Sequence, residues 1–120
     1  TEAIAYTGNY RELPVITITG PAIGVVITNL TTGEVLDLSA GTIDAGDTRV
    51  IDLRYGRKTL VDSAGANRLH ELSLDSDLGT WHLAAAPEAA GGVNEVHVVA
   101  QGGSDATRVA LVYYPRYIHL

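Results

Sequence analysis

The 120 residues include no cysteine, no methionine, no phenylalanine and a single tryptophan. Without cysteine, the chain can form neither a disulfide framework, nor a zinc ribbon, nor a thiol nucleophile. Its hydrophobic residues, 46% of the total, are mainly valine, leucine, isoleucine and alanine, so the core must be aliphatic, with tyrosine and tryptophan supplying the bulk. A composition rich in β-branched residues favours β-strands.

Charge and hydropathy exclude two kinds of partner. Eight lysine and arginine residues are outnumbered by fourteen aspartate and glutamate residues, which gives a formal net charge of −6, and the basic residues do not cluster in sequence. Such a chain repels phosphate backbones, so we predict no nucleic-acid partner. The longest apolar segments, near residues 13–30 and 109–114, are short or interrupted by polar residues, glycine and proline. We therefore predict no membrane insertion.

The length of the chain suits one hydrophobic core. We predict a single β domain over residues 1–120, in which residues 1–13 form a linker or a first strand. The opening TEAIAYTGNYRELP lacks the basic and apolar regions of a signal peptide. We expect the domain to come from a longer protein.

Short runs of alternating or β-branched residues recur along the chain, each bounded by turn residues. The predicted strands are Val15–Thr19, Ile23–Leu30, Glu34–Leu38, Thr48–Leu53, Lys58–Asp62, Val93–Ala100 and Thr107–Tyr114. This spacing is typical of a sandwich or a barrel. Because the chain lacks the helical crossovers that parallel strands need, we predict an all-β fold with antiparallel sheets.

Two segments are of uncertain secondary structure. Residues 83–90 are rich in alanine, but Pro87 and the following Gly91-Gly92 limit them to a loop with at most one helical turn. Residues 67–74 fit helix or strand spacing, and we favour strand or irregular structure.

The last predicted strand has two largely apolar faces. One face carries Val109, Leu111 and Tyr113. The other carries Arg108, Ala110, Val112 and Tyr114. A strand that is apolar on both faces is predicted to be central in its sheet, partly covered by another subunit or domain.

The triplet Asn29-Leu30-Thr31 fits the acceptor pattern for N-glycosylation, which matters only in a eukaryotic secretory protein. The triplet also fits a bend between two strands, because Thr31-Thr32-Gly33 provides a loop and alternation resumes at Glu34. We interpret it as a hairpin.

We predict no metal site. The four histidines share no ligand spacing; they are His70, His82, His97 and His119. The segment Asp75–Gly79 resembles the start of a calcium loop, but Thr80 and Ala86 stand where an EF-hand needs glycine and glutamate. An irregular calcium site is the alternative to a solvated turn, and it would share the carboxylates of Asp44, Asp47 or Glu71.

No catalytic motif is recognisable. The glycine and serine segments lack the GxSxG frame, and no glycine loop lies between a strand and a helix to bind a nucleotide. A glycosidase-like pair is a hypothesis drawn from the carboxylates of Asp44, Asp47, Asp52, Glu71, Asp75 and Asp77. Because charged residues at turns usually serve turn geometry and solubility, we predict no enzyme, no cofactor and no catalytic residue. Ligand-binding residues stay unassigned.

Aromatic residues offer two candidate contact sites. We interpret Trp81 as a core or rim residue, with a sugar-stacking ring as the alternative. The C-terminal VYYPRYIHL contains residue types that interfaces favour, namely Tyr113, Tyr114, Arg116 and Tyr117.

Several short patterns also occur in a recognisable order. They are PVITITGPA (14–22), TNLTTGEVLDL (28–38), IDAGDTRVIDL (43–53), RKTLVDSAGANRL (57–69) and VALVYYPRYI (109–118). The series resembles the C-terminal domain of siphovirus-type phage distal tail proteins (Dit). The resemblance implies a galectin-like or jelly-roll β-sandwich, attached outside a ring that the N-terminal domain forms. The chain departs from the family after Trp81, where AAAPEAAGGVN lengthens a loop.

The resemblance implies a structural protein of a phage or prophage. The domain would be an attachment point in the virion, at the tail tip or baseplate, after synthesis in the bacterial cytoplasm. Its expected partners are other phage tail proteins and host-surface carbohydrate, and a ring-forming homo-oligomer is expected only for the full-length protein. A stand-alone carbohydrate-binding module is the alternative function, and a small sandwich hydrolase is a third.

Overall fold

The strands account for nearly all the regular structure of this protein. Its computed structural model describes residues 2–8, 12–54, 56–73, 76–86, 88–104 and 106–113. The strands are β1 Glu2–Ala5, β2 Val15–Thr19, β3 Ala22–Asn29, β4 Glu34–Ile43, β5 Thr48–Asp52, β6 Thr59–Asp62, β7 Val93–Gln101 and β8 Arg108–Val112. Within the described ranges the helical elements are two 3₁₀ turns, Leu69–Glu71 and Ala90–Gly92, and no helix is long and apolar enough to cross a membrane.

The eight strands form two four-stranded sheets. The first sheet has the order β1-β7-β3-β4 and the second has the order β6-β5-β2-β8. Neighbouring strands are antiparallel throughout both sheets. The predicted all-β fold with antiparallel sheets, a β-sandwich, is confirmed.

Alternation along the strands creates the core, since successive side chains of a strand point to opposite faces. The first sheet buries Val25 and Ile27 of β3 with Leu36 and Leu38 of β4. The second sheet buries Ile16, Ile18, Ile51 and Leu60. Burial of each such side chain contributes roughly 1.5–3 kcal/mol, so these aliphatic residues supply much of the energy that holds the two sheets together.

Two predicted boundaries are extended. Residues 2–5 form a strand that pairs with β7, so this part of residues 1–13 is a first strand and not a linker. β4 continues to Ile43, which pairs with Ala22, whereas the predicted strand ended at Leu38. Pairing with the early part of β3 holds this continuation in place. Residues 39–41 alone carry no strand pattern that would predict it.

β8 differs from its prediction. Its two faces are as expected, since Val109 and Leu111 are half-buried while Arg108, Ala110 and Val112 are exposed. Within the described residues, however, β8 pairs only with β2 and therefore lies at the edge of its sheet, where a central strand was predicted. An apolar outer face can occur on a central strand or on an edge strand, so this pattern did not decide the position of β8. Tyr114 lies outside the described residues.

The predicted hairpin is confirmed. Asn29 and Glu34 are the last paired residues of β3 and β4, and Gly33 has a φ of 78°, which favours glycine. Asn29 is 0% exposed, and its Oδ1 accepts a hydrogen bond from the Thr31 N–H at 3.0 Å. A buried side chain of this kind cannot be reached for glycosylation in the folded protein.

The chain between β6 and β7 covers one side of the sandwich, which we call the capped side. At β6, the Arg68 N–H donates to the Leu60 carbonyl at 2.8 Å. At β4, the Val35 N–H donates to Asp77 Oδ2 and the Asp37 N–H donates to Ser76 Oγ, both at 2.8 Å. Residues 66–77 therefore supply partners that a further strand would otherwise supply.

The segments of uncertain type are largely irregular, as predicted. Within residues 67–74, Asn67 forms a single bridge with Val61 and a 3₁₀ turn follows, while Leu74 lies outside the described residues. Of residues 83–90, the described residues 83–86, 88 and 89 are irregular, and residue 90 begins the second 3₁₀ turn. Pro87 is not among the described residues.

Candidate functional site

An apolar groove of about 690 Å³ opens between the sheets on the side opposite the capped side, and we call this the open side. The first sheet contributes Ala3, Ile4, Ala5, Val96 and Val98. The second sheet contributes Val109, Leu111 and Tyr113. Among these described lining residues, the phenol of Tyr113 is the single polar side-chain group. The groove therefore suits apolar contact and not acid–base chemistry.

The groove is an uncovered part of the core. Ile4, Val98 and Leu111 pack against the core but stay partly exposed, whereas Leu36 and Leu60, beside the capped side, are 0% exposed. The ring of Tyr113 closes one end by an edge-to-face contact with Tyr6, with ring centres 6.2 Å apart. Nothing in the described chain covers β1 and β8 as residues 66–77 cover β4 and β6.

Arg49 is the centre of a buried ionic cluster. The side chain extends from β5, and the residue is 2% exposed. Its guanidinium donates two hydrogen bonds to the carboxylate of Glu71, at 2.7 and 3.2 Å, and one to Asp47 Oδ2 at 3.0 Å. A further bond, at 3.3 Å, goes to the Thr42 carbonyl. The cluster therefore ties β5 to β4 and to the first 3₁₀ turn.

Two of the carboxylates on which the calcium and glycosidase hypotheses depend belong to this cluster. Asp47 and Glu71 do come together, but the cation between them is the guanidinium of Arg49. The hydrogen bond from Ser63 Oγ, at 2.6 Å, and that from Arg49 hold the pKa of Asp47 well below its ordinary value. The hydrogen bond to Glu71 raises the pKa of Arg49. Both carboxylates are therefore already bound to a cation of the chain itself.

The remaining candidate carboxylates lie apart from this cluster or outside the described residues. Asp44 is in the preceding turn, where its carbonyl accepts from the Asp47 N–H. Asp52 pairs with exposed Arg54 at 2.7 Å, and Asp77 binds the edge of β4. Asp75 is outside the described ranges. Within those ranges no three histidine or carboxylate side chains are grouped to hold a metal ion.

Acid should weaken the folded protein partly through Asp47. A carboxyl group whose pKa is lowered by folding contributes stability above its ordinary pKa of 3.8, and this contribution is lost as pH falls toward the folded value. We expect the urea midpoint to fall more steeply from about pH 5 to about pH 2 in the wild type than in Asp47→Asn, which has no charge to lose. Equal slopes in urea titrations of the two proteins would contradict this.

A pair of buried asparagines forms a second polar cluster. Asn29 and Asn94 are both 0% exposed, and Asn29 Nδ2 donates to Asn94 Oδ1 at 3.1 Å. Asn94 Oδ1 also accepts from the Ala84 N–H at 2.8 Å, while its Nδ2 donates to the carbonyls of Ala84 and Gly92 at 2.9 and 3.3 Å. The loop that precedes the second 3₁₀ turn is therefore clamped to β3 and β7.

Sequence reasoning missed this clamp. Asn94 lies on the same face of β7 as Val96 and Val98, which point into the sandwich. The predicted strand therefore already placed an amide in the core. A buried amide needs several hydrogen-bond partners, and this requirement was the available signal. The partners themselves were not visible in sequence.

The described histidines occupy separate environments. The ring of His82 lies between Glu34 Oε1, 2.8 Å from Nδ1, and Glu88 Oε1, 3.0 Å from Nε2. His70 is exposed in the first 3₁₀ turn, and His97 is on β7 opposite Thr28. His119 lies outside the described residues.

Trp81 belongs to the core. It is 0% exposed, and its backbone N–H donates to the Asp77 carbonyl at 2.8 Å. Its indole Nε1 finds no acceptor among the described residues. The core interpretation is confirmed, and the alternative of a sugar-stacking Trp81 is wrong. Tyr113 lines the groove, and the other members of the predicted C-terminal interface, Tyr114, Arg116 and Tyr117, lie outside the described residues.

Comparison of the chain with protein-family models, with curated proteins and with solved structures gives no match. Function must therefore be inferred from the sequence patterns and from the contacts of the described residues.

Proposed function

We propose that this domain is a structural and interaction module of a phage or prophage tail tip, and that it serves as an attachment point for other tail proteins or for the host surface. One observation carries the proposal: Arg49 and its carboxylates are bound to one another, while the groove is lined by apolar side chains. That arrangement suits a scaffold. The order of patterns that resembles distal tail proteins supports the assignment to a tail.

A catalytic role receives little support from the groove. Catalytic sites generally bring ionisable groups with perturbed pKa values into a cleft. Here Asp47 has a lowered pKa because it binds Ser63 and Arg49, and neither Asp47 nor Arg49 lines the groove. The lowered pKa is thus explained by a structural contact.

Protein partners are favoured over sugar. A carbohydrate-binding module would need Trp81 or two of the tyrosines exposed in a groove to stack on a sugar. Trp81 is buried, and among the described lining residues of the groove Tyr113 is the single aromatic ring. The groove offers aliphatic side chains, which suit contact with an apolar protein segment. For this reason a stand-alone carbohydrate-binding module remains the weaker candidate.

Immunogold electron microscopy tests the proposal directly. Antibodies raised against the purified domain are applied to virions released from the strain that encodes the chain, with antibodies preabsorbed on the domain as the control. Gold particles are expected at the tail tip alone. Label along the tail tube or on the capsid, or absence of the chain from purified virions on a denaturing blot, would overturn the assignment.

A further inference from the structure

We propose that copies of this chain associate through unlike faces, so that the outer face of the first sheet of one copy packs on the outer face of the second sheet of the next. The outer face of a sheet is the face that points away from the core. The inference goes beyond the proposed function, because it concerns contacts between copies and uses surfaces apart from the groove.

The outer face of the second sheet has an aliphatic centre. Alternation along the strands places six small or β-branched side chains on this face, namely Val15, Thr17, Val50, Val61, Ala110 and Val112. Cross-strand pairing sets Thr17 between Val50 and Ala110, so these side chains form one continuous surface. All six are half-buried or exposed. A sheet face that contacts only water usually carries polar residues instead.

The outer face of the first sheet is aliphatic at its centre as well. Val26 of β3 lies opposite Val99 of β7, and Ile23 precedes Val26 on the same face. Ile23 is 49% exposed and Val99 is 48% exposed. Each copy of the chain therefore presents two separate aliphatic surfaces, one on either side of the sandwich.

The two outer faces differ in charge. The four strands of the first sheet contain no lysine or arginine, and their outward side chains include the carboxylates of Asp37 and Glu95. On the second sheet, Arg108 is exposed on the outer face of β8. The carboxylate of Asp52, on the same face, is already bound by Arg54 at 2.7 Å. Among the described residues, the first face thus has an excess of negative charge and the second an excess of positive charge.

This difference selects the contact between unlike faces, because like charges brought together across an interface disfavour it. Two first-sheet faces would oppose carboxylates, and two second-sheet faces would oppose arginines. An unlike pair brings Asp37 and Glu95 to the face of Arg108 while the aliphatic centres meet. Such a contact is heterologous, so it joins copies in a row or a ring. A second copy is the favoured occupant, since each copy carries both halves of the match.

The size of the faces sets the strength of the contact. Four strands about 4.8 Å apart, each about five residues long, give a face of about 19 by 17 Å. Two such faces bury less than the roughly 1,200–2,000 Å² of stable complexes, so the contact is of the transient class. We expect the chain to associate at about 0.1–1 mM, where a dissociation constant corresponds to roughly 4–5.5 kcal/mol.

Two variants that each block one face test the proposal with the full chain. Val99→Arg adds a cation to the first-sheet face, and Ala110→Glu adds a carboxylate to the second-sheet face; both positions are exposed. In sedimentation velocity at about 1 mM and low salt, each variant alone should stay monomeric. An equimolar mixture should form a dimer and nothing larger, because it contains one intact face of each kind. Raising NaCl from about 50 to 500 mM should weaken this dimer about tenfold.

The matched control is the double variant Val99→Arg, Ala110→Glu, which should stay monomeric if the added charges do not pair with each other. Circular dichroism checks that every variant keeps its β-structure. A monomeric wild type at 1 mM would overturn the proposal. So would self-association of either single variant, which would show that like faces meet, and so would association of the double variant, which would place the contact elsewhere on the molecule.

Discussion

Replacing Arg49 with methionine is expected to lower the free energy of unfolding by about 3–5 kcal/mol, because the buried carboxylate of Glu71 would lose the guanidinium that is hydrogen-bonded to it and keep only the longer contact with Arg68, at 3.8 Å. Glu71 is 8% exposed and accepts two of the hydrogen bonds that Arg49 donates. The measurement is urea unfolding at neutral pH, followed by the fluorescence of Trp81, which is the single tryptophan and is buried.

The control for Arg49 is Arg54→Met. Arg54 also pairs with an aspartate, Asp52, but its side chain is 55% exposed, so its loss should cost about 1 kcal/mol or less. The double variant Arg49→Met, Glu71→Leu should recover much of the lost stability, since it removes both charges. If Arg49→Met and Arg54→Met lowered the free energy of unfolding by similar amounts, burial would not determine how much an ion pair contributes to stability.

Replacing Asn94 with leucine is expected to have an effect of similar size, about 3–5 kcal/mol, because several buried groups lose their partner at once and each costs about 1–3 kcal/mol. The groups are the N–H and carbonyl of Ala84, the carbonyl of Gly92 and Nδ2 of Asn29. Of these, Nδ2 of Asn29 keeps a second acceptor, the carbonyl of His82 at 2.9 Å, and the carbonyl of Gly92 keeps the N–H of Tyr6 at 2.8 Å, so the main loss falls on Ala84. Urea unfolding measures the loss.

Asn67 provides the matched asparagine control. Asn67 is exposed, and its Oδ1 accepts one hydrogen bond, from the Leu69 N–H at 2.8 Å. Asn67→Ala should cost about 1 kcal/mol or less, since water can replace the lost partner. If Asn94→Leu were as mild as Asn67→Ala, the clamp would not be a stabilising feature.

The sequence predicted the parts of the fold that depend on neighbouring residues. The strand Val15–Thr19 was predicted with its observed bounds, and the hairpin at Gly33 was predicted from its loop residues, because alternation and turn chemistry are local. The second half of β4 was not predicted, since its pairing depends on the start of β3.

The polar clusters could not be predicted for the same reason. Arg49 and Glu71 are 22 positions apart in sequence, and Asn29 and Asn94 are 65 positions apart. Each residue alone resembles an ordinary charged or polar residue near a turn or strand. Pairing becomes visible only when β5 meets the first 3₁₀ turn and β3 meets β7. The sequence did identify part of the ionic cluster, because two of the carboxylates that it singled out bind Arg49.

The covered edges of β4 and β6 limit how copies of this protein can associate. Strand addition between copies needs a free edge on each partner. Among the described residues, 66–73, 76 and 77 occupy the edge of β6 and that of the first part of β4, and the strands at the opposite ends of the two sheets are β1 and β8, on the open side. Copies that pair by strand addition are therefore expected to meet through their open sides, with their capped sides turned away from each other.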